Sequence, residues 1–329
     1  MSTLSILGIT TRFDRGTDRE SSTMRSTLMD NDLLPGFPGE GALSLKVYER
    51  HGDEIITGIL SGENGVWYPI IDGVPRLLRG SFRASWDAFA HTHGLSQPEE
   101  NGDAEGNHRD LDGQKQTNTT FSDKWRRFRN YGLEPSHQRF LFGWYCEKLG
   151  LGSVEELEAF YANRKRVLEV GPGSGFNARF IAEHCQGSVF AVDISDAALT
   201  CYENTADLSN CYALQADLMD LPFADESFDL IFADGVLHHT PSTRDAVRAL
   251  YRKLAPGGEF FFYVYRQMGP LRRFSDQHIR ARFTALKPED CYAACEALTE
   301  LGRALSEVDA KVELDKPVDV LGIPAGTHD

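Results

Sequence analysis

Residues 167–180 read VLEVGPGSGFNARF. Val167, Leu168 and Val170 enclose a single acid, Glu169, as a short buried strand does. Gly171, Gly173 and Gly175 then follow at alternate positions, and residues 177–185 continue as a helix. Glycines there let the backbone turn sharply and come close to a ligand. The helix N-terminus behind them offers unpaired N–H groups and a partial positive charge. The arrangement suits a nucleoside cofactor without specifying which one.

Downstream of this loop the chain alternates strand and helix, the pattern of an α/β sheet. Strands are expected at 167–170, 188–192, 211–215, 228–232 and 259–265, with helices over 177–185, 196–208 and 243–254. Pro256-Gly257-Gly258 breaks the last helix before the fifth strand. Upstream, residues 121–151 are aromatic and helical, with Trp125, Phe128 and Tyr131 at helix spacing. Packing of the first helix layer or cover for a cofactor pocket both fit these rings. Arg126, Arg127 and Arg129 form a basic cluster that suits either a solvated helix face or an anionic substrate.

Residues 94–120 are acidic, rich in Gly and Asn and almost free of apolar side chains, which reads as a mobile linker. Residues 31–93 form a small β-rich module, with strands at 42–48 and 54–60, an Asp-Gly turn inside 66–78 and a short helix at 86–93. Residues 1–30 are polar and aperiodic, a disordered leader.

The chain of 329 residues carries 34 basic and 49 acidic side chains, a formal charge of −15. Such a charge repels a phosphate backbone, so nucleic acid is an improbable partner for the unaided chain. No apolar run approaches the ~18 residues of a membrane-spanning helix. The six cysteines are scattered without a C-x-x-C pair, as in a reduced cytoplasmic enzyme.

A dinucleotide fold wants G-x-G-x-x-G, but Phe176 fills the third glycine's position and the spacing is G-x-G-x-G. Asp193, followed by Ile194, ends the second strand, where an acid can accept both ribose hydroxyls. Asp217 ends the third, where it can accept from an adenine amino group, and Leu218 offers an apolar edge to the ring. With LEVGPGSG, AVDIS, QADLMDLPFADESFDLI, DGVLHHT and LYRKLAPGGEFFFYVY in order, residues 167–265 resemble the class I S-adenosylmethionine-dependent methyltransferases, in particular the ubiquinone and menaquinone methyltransferase group. That resemblance implies a Rossmann-like sheet with helices on both faces, preceded by the small β module, and S-adenosylmethionine as cofactor. It places Glu169, Gly171, Gly173 and Gly175 at the amino-acid end, Asp193 at the ribose, Asp217 and Leu218 at the adenine, and Asp234 near the methionine moiety.

Gly58, Leu60 and the stretch 68–78, YPIIDGVPRLL, resemble the ending of Trm112-like zinc-ribbon modules. Ser61, Asn64, Gly36 and Gly39 stand where cysteines would be, so the likeness implies the fold and not the metal. The methyl acceptor is expected to be a small molecule of quinone, lipid or glycan type. The alternatives are a translation-related substrate (tRNA, rRNA or protein) or a non-catalytic cofactor-binding scaffold. No catalytic residue is assigned. His239 is the candidate base or substrate contact, with a hydrogen-bonded turn histidine as the other reading. A nicotinamide enzyme is opposed by the glycine spacing and by Asp217. The family's sheet continues past its fifth strand into a hairpin that this sequence does not show, so the methyltransferase domain, 121–329, reads as truncated.

Overall fold

A computed structural model describes residues 36–37, 41–52, 54–63, 65–82, 86–93, 111–266, 269–284 and 286–308. The expected leader, 1–30, and most of the expected linker lie outside them.

The first sheet is antiparallel, in the order β1 (Ser44–His51), β2 (Glu54–Ser61), β3 (Trp67–Ile71), β4 (Val74–Pro75). Asp72 and Gly73 join β3 to β4 with φ of 51° and 78°, the left-handed pair that an Asp-Gly hairpin turn adopts. Alternation divides the strands between two faces. Ile59 and Trp67 pack with Phe89 of α1 (Trp86–His93), while Leu60, Tyr68 and Ile70 join the main core.

The second sheet is parallel: β5 (Arg166–Val170), β6 (Ser188–Asp193), β7 (Cys211–Gln215), β8 (Phe228–Asp234) and β9 (Leu254–Tyr263), ordered β7-β6-β5-β8-β9. Val167, Leu168, Val189, Phe190, Leu230 and Ile231 are fully buried, as strands covered on both faces require. β9 pairs with Phe228 at Leu254, then skips to pair Leu230 with Glu259. The Pro-Gly-Gly breaker is thus looped out of the ladder, and regular pairing starts where the sequence placed the strand. The helices that interleave are α5 (Phe176–His184), α6 (Ala197–Thr205) and α7 (Thr243–Lys253). Ser242 caps α7 by accepting from the Asp245 amide. Its Ala246, Ala249 and Leu250 form the buried stripe.

Ahead of β5 lie α2 (Leu111–Arg127), α3 (Pro135–Leu149) and α4 (Val154–Ala162). Two expectations are corrected here. Residues 111–120, read as linker, are the first half of α2. Residues 114–120 are all polar, but Asn118 reaches across to the Ile194 carbonyl at 3.1 Å, so tertiary contact supplies what composition lacked. The helical stretch 121–151 is also broken, because α2 ends at Arg127 and a turn carries Phe128 and Tyr131. Gly132 within it has φ of 82° and lies against the Phe176 ring, and Pro135 opens α3 at its first turn.

The small sheet and the α/β sheet share one hydrophobic core and one compact unit, 1–264. The second unit, 265–329, contains α8 (Pro270–Phe283) and α9 (Pro288–Ser306), each with proline at its first turn.

Candidate functional site

In an open parallel sheet, ligands bind beyond the carboxyl ends of the strands, where the strand order reverses. Here the reversal falls between β5, whose other neighbour is β6, and β8. The loop leaving β5 is Gly171-Pro172-Gly173-Ser174-Gly175. Its three glycines have φ of 67°, 58° and 82°, a region that other residues enter at a cost. Space restricts them as well. A Cβ on Gly171 would lie 2.3 Å from Val236, on Gly173 2.5 Å from Trp125, and on Gly175 2.9 Å from the Cys201 Sγ. Neighbouring side chains, besides any ligand, therefore demand glycine here. The Gly171 amide donates to Val192 O (2.8 Å), tying the loop to β6.

Around this loop the structure gathers three of the four predicted acids. Glu169, near the end of β5, is buried; Asn177 and the Ala178 amide bond its carboxylate, yet its Oε2 has no partner. Burial raises its pKa to about 8, and the nearby charges of Asp234 and Asp193 push the same way. Asp193 closes β6, with its Oδ1 accepting from both the Ser195 amide (2.8 Å) and hydroxyl (2.7 Å). Burial raises its pKa despite those bonds and one from the Gly173 amide. Asp234 ends β8 and accepts from the Tyr145 hydroxyl at 2.7 Å. Its pKa is raised by burial and partly restored by that bond.

Asp217 stands one strand farther out. Its Oδ1 accepts from the Met219 amide at 2.9 Å and its carbonyl from the Asp220 amide, forming a tight bend beyond β7 that carries Leu218. Ile194 contributes its carbonyl, which accepts from Asn118 and Gln215.

Sequence reasoning missed one group and left a second open. The first is Tyr145 with Asn177. The Asn177 amide donates to the Tyr145 hydroxyl at 2.9 Å and also reaches Glu169, linking Glu169 to Asp234 through two buried side chains. Tyr145 is one more aromatic in an apolar helix, and no pattern sets it apart. The second is the face of α2. Trp125 lies on the glycine loop, Phe121 meets the His239 ring edge-on at 4.9 Å, and the Ser122 hydroxyl accepts from the Asp196 amide at 3.0 Å. Of the two readings of these aromatics, cover over the site is the one that describes Trp125 and Phe121.

His239 is exposed, and half-buried His238 packs on it at 4.1 Å with its own pKa lowered by burial. The arginine cluster is engaged in ion pairs: Arg126 with Asp196, Arg127 with Asp123, Arg129 with Glu203. An anionic substrate would have to displace them.

Residues 168–262 match the family model described as a methyltransferase domain. Together with the strand order and glycine loop, this match defines the α/β part as a class I S-adenosylmethionine-dependent methyltransferase domain. Among curated proteins the chain is similar to a malonyl-[acyl-carrier protein] O-methyltransferase of Halorhodospira halophila, 32% identical over 114 residues, which are 34% of this chain and 39% of that protein. It is similar also to the sterol 24-C-methyltransferase of Schizosaccharomyces pombe, 29% identical over 50% of this chain and 46% of the relative. A probable tRNA methyltransferase 9B of Mus musculus is 29% identical over 34% of this chain and 24% of its own length. The chain spans less than half the length of each of these relatives.

Proposed function

We propose that this chain binds S-adenosylmethionine and transfers its methyl group to a small organic acceptor of quinone, lipid or glycan type. The observation that carries the reading is the convergence of Glu169, Asp193 and Asp234 on a left-handed glycine loop, with Glu169 Oε2 buried and unpartnered. A buried carboxylate oxygen without a donor is costly unless a ligand supplies one. An ammonium group fits that need, and the other acids and the bend suit a ribose diol and an adenine. In this reading Glu169, Gly171, Gly173, Gly175 and Asp234 hold the amino-acid end, Asp193 and Ile194 the ribose, and Asp217 and Leu218 the adenine.

The bound cofactor would supply an electrophilic methyl group on a sulfonium. The chain's part is to align the acceptor and exclude water, and positioning of this kind supplies roughly 7–11 kcal/mol. Trp125 and Phe121 on α2 close the mouth with apolar surface. His239, exposed beside Phe121, is the group we assign to take a proton from an acceptor that must lose one.

The relatives act, by their names, on malonyl-[acyl-carrier protein], a sterol and a tRNA. The charge of −15 and the paired arginines favour the small molecule. The kinship of the N-terminal sheet with Trm112-like modules belongs to this proposal as well and rests on Gly58, Leu60 and residues 68–78. A cytoplasmic setting is likewise proposed, on four cysteines that are buried and free. Among the described residues no helix is long and apolar enough to cross a membrane.

Calorimetric titration tests the reading. S-adenosylmethionine and S-adenosylhomocysteine are expected to bind at micromolar Kd, about −8 kcal/mol, with binding lost in Asp193→Ala. Binding of NAD in their place would overturn it. Cofactor binding without consumption of the methyl donor across acceptor pools would instead support a scaffold.

A further inference from the structure

We infer that Arg76 and Arg79, on the segment leaving the N-terminal sheet, position the nucleoside half of the cofactor site. That sheet is then a working part of the site. The inference rests on the cofactor reading above and deepens it.

The chain leaving β4 runs alongside the last residue of β7. Arg76 pairs with Gln215 in a parallel bridge, and the Leu77 amide donates to the Gln215 carbonyl at 2.7 Å. The Gln215 side chain is fixed at both ends: its Oε1 accepts from the Arg76 guanidinium (3.0 Å) and its Nε2 donates to the Ile194 carbonyl (3.2 Å). Buried Arg76 also reaches the Asp196 carboxylate at 3.4 Å. One arginine thus braces the loop that begins at Asp193 and the strand end that leads to Asp217.

Arg79 holds the next turn. It donates to Asp220 Oδ2 at 2.9 Å, with side-chain exposures of 19% and 28%, sheltered enough for the pair to exceed an open surface bridge. The Asp220 amide donates to the Asp217 carbonyl at 2.9 Å, closing the bend that carries Asp217 and Leu218. The Phe37 ring lies under the Arg79 guanidinium at 4.6 Å. A planar guanidinium can stack and bond at once, which a lysine cannot do equally. The grip of the small sheet therefore falls on the two loops assigned to ribose and adenine.

The test compares S-adenosylhomocysteine with S-inosylhomocysteine, which carries a carbonyl where adenine has its amino group, by calorimetry on the full chain. Arg79→Ala, Arg79→Lys and Asp220→Asn are measured beside the wild type, with melting curves as a check on folding. Breaking the pair from either side keeps the test open if one variant folds poorly. Arg79→Ala and Asp220→Asn are expected to weaken S-adenosylhomocysteine binding by about threefold to tenfold, and the double variant is expected to lose no more than either single one. Arg79→Lys should restore part of the loss. The preference for the adenine ligand should fall towards one, because a misplaced Asp217 no longer distinguishes the two bases. A purely structural role would weaken both ligands equally and keep the preference. That result or unchanged affinity in the variants would overturn the inference alone, and a wild type that binds both ligands equally would overturn it together with the assignment of Asp217 to the adenine. A wild type that binds neither would overturn the cofactor reading with it.

Discussion

Glu169 is the residue on which the site's electrostatics turn. The folded chain keeps its proton up to about pH 8, whereas the ordinary value is 4.5. Facing it are Asn177 and the Ala178 amide from α5, Asp193 from β6, Asp234 from β8, Tyr145 from α3 and Tyr161 from α4, and Cys201 from α6. Among the described residues no cationic side chain bonds it. Because the folded state binds more protons than the unfolded one across this range, the Glu169 contribution to stability falls as pH rises from about 4.5 to about 8 and is level above that. Denaturant melts of the ligand-free chain should show Glu169→Gln less stable relative to wild type near pH 5 than near pH 8, where it should gain on it by on the order of 1–3 kcal/mol. Parallel curves for the two proteins would refute this. The positions of Asp193, Asp217 and Asp234 were legible in the sequence, because each lies at or just past the end of an apolar run, and Glu169 stood out as the one acid inside such a run. Tyr145 and Asn177 were not, since a buried aromatic and a helix-start amide have many ordinary uses.

At the scale of elements, α2 departs most from its composition. Its first half is polar enough to read as linker, and the Thr117, Thr119 and Thr120 hydroxyls bond carbonyls four residues back, contacts that do not stabilise a helix. What fixes it lies elsewhere in the chain: Asn118 on Ile194, Ser122 on Asp196, Trp125 on Gly173. A ligand entering beside the glycine loop must therefore alter the surroundings of Trp125. Titration with S-adenosylhomocysteine should change the tryptophan emission, and Trp125→Phe should remove most of that change while leaving the fold intact. An undiminished change in the variant would assign the signal to another tryptophan and deny α2 its place over the site. The strands needed no such help. Continuous apolar runs bounded by turn residues located all five strands of the parallel sheet, and even the displaced start of β9 preserves the register from Glu259 onward.

Over the whole molecule, the N-terminal sheet and the α/β sheet behave as one body. Tyr68, Val74 and Leu77 belong to the same buried cluster as Phe190 and Leu214, and the chain after β4 bridges Gln215, the last residue of β7. A shortened chain beginning at residue 94 should consequently melt well below the full chain, or aggregate, as light scattering and circular dichroism would show. An equally stable fragment would mean that the two sheets are independent. The sequence by itself determined the order of strands and helices, the glycine loop and the acids at the strand ends, because these follow from local periodicity and from backbone conformations that few residues adopt. Only the tertiary structure decided that α2 covers the loop, that Tyr145 and Asn177 join Glu169 to Asp234, and that Arg76 and Arg79 reach the turns that follow β6 and β7. Those contacts join residues up to 141 positions apart, and a partner so distant leaves no mark on local composition.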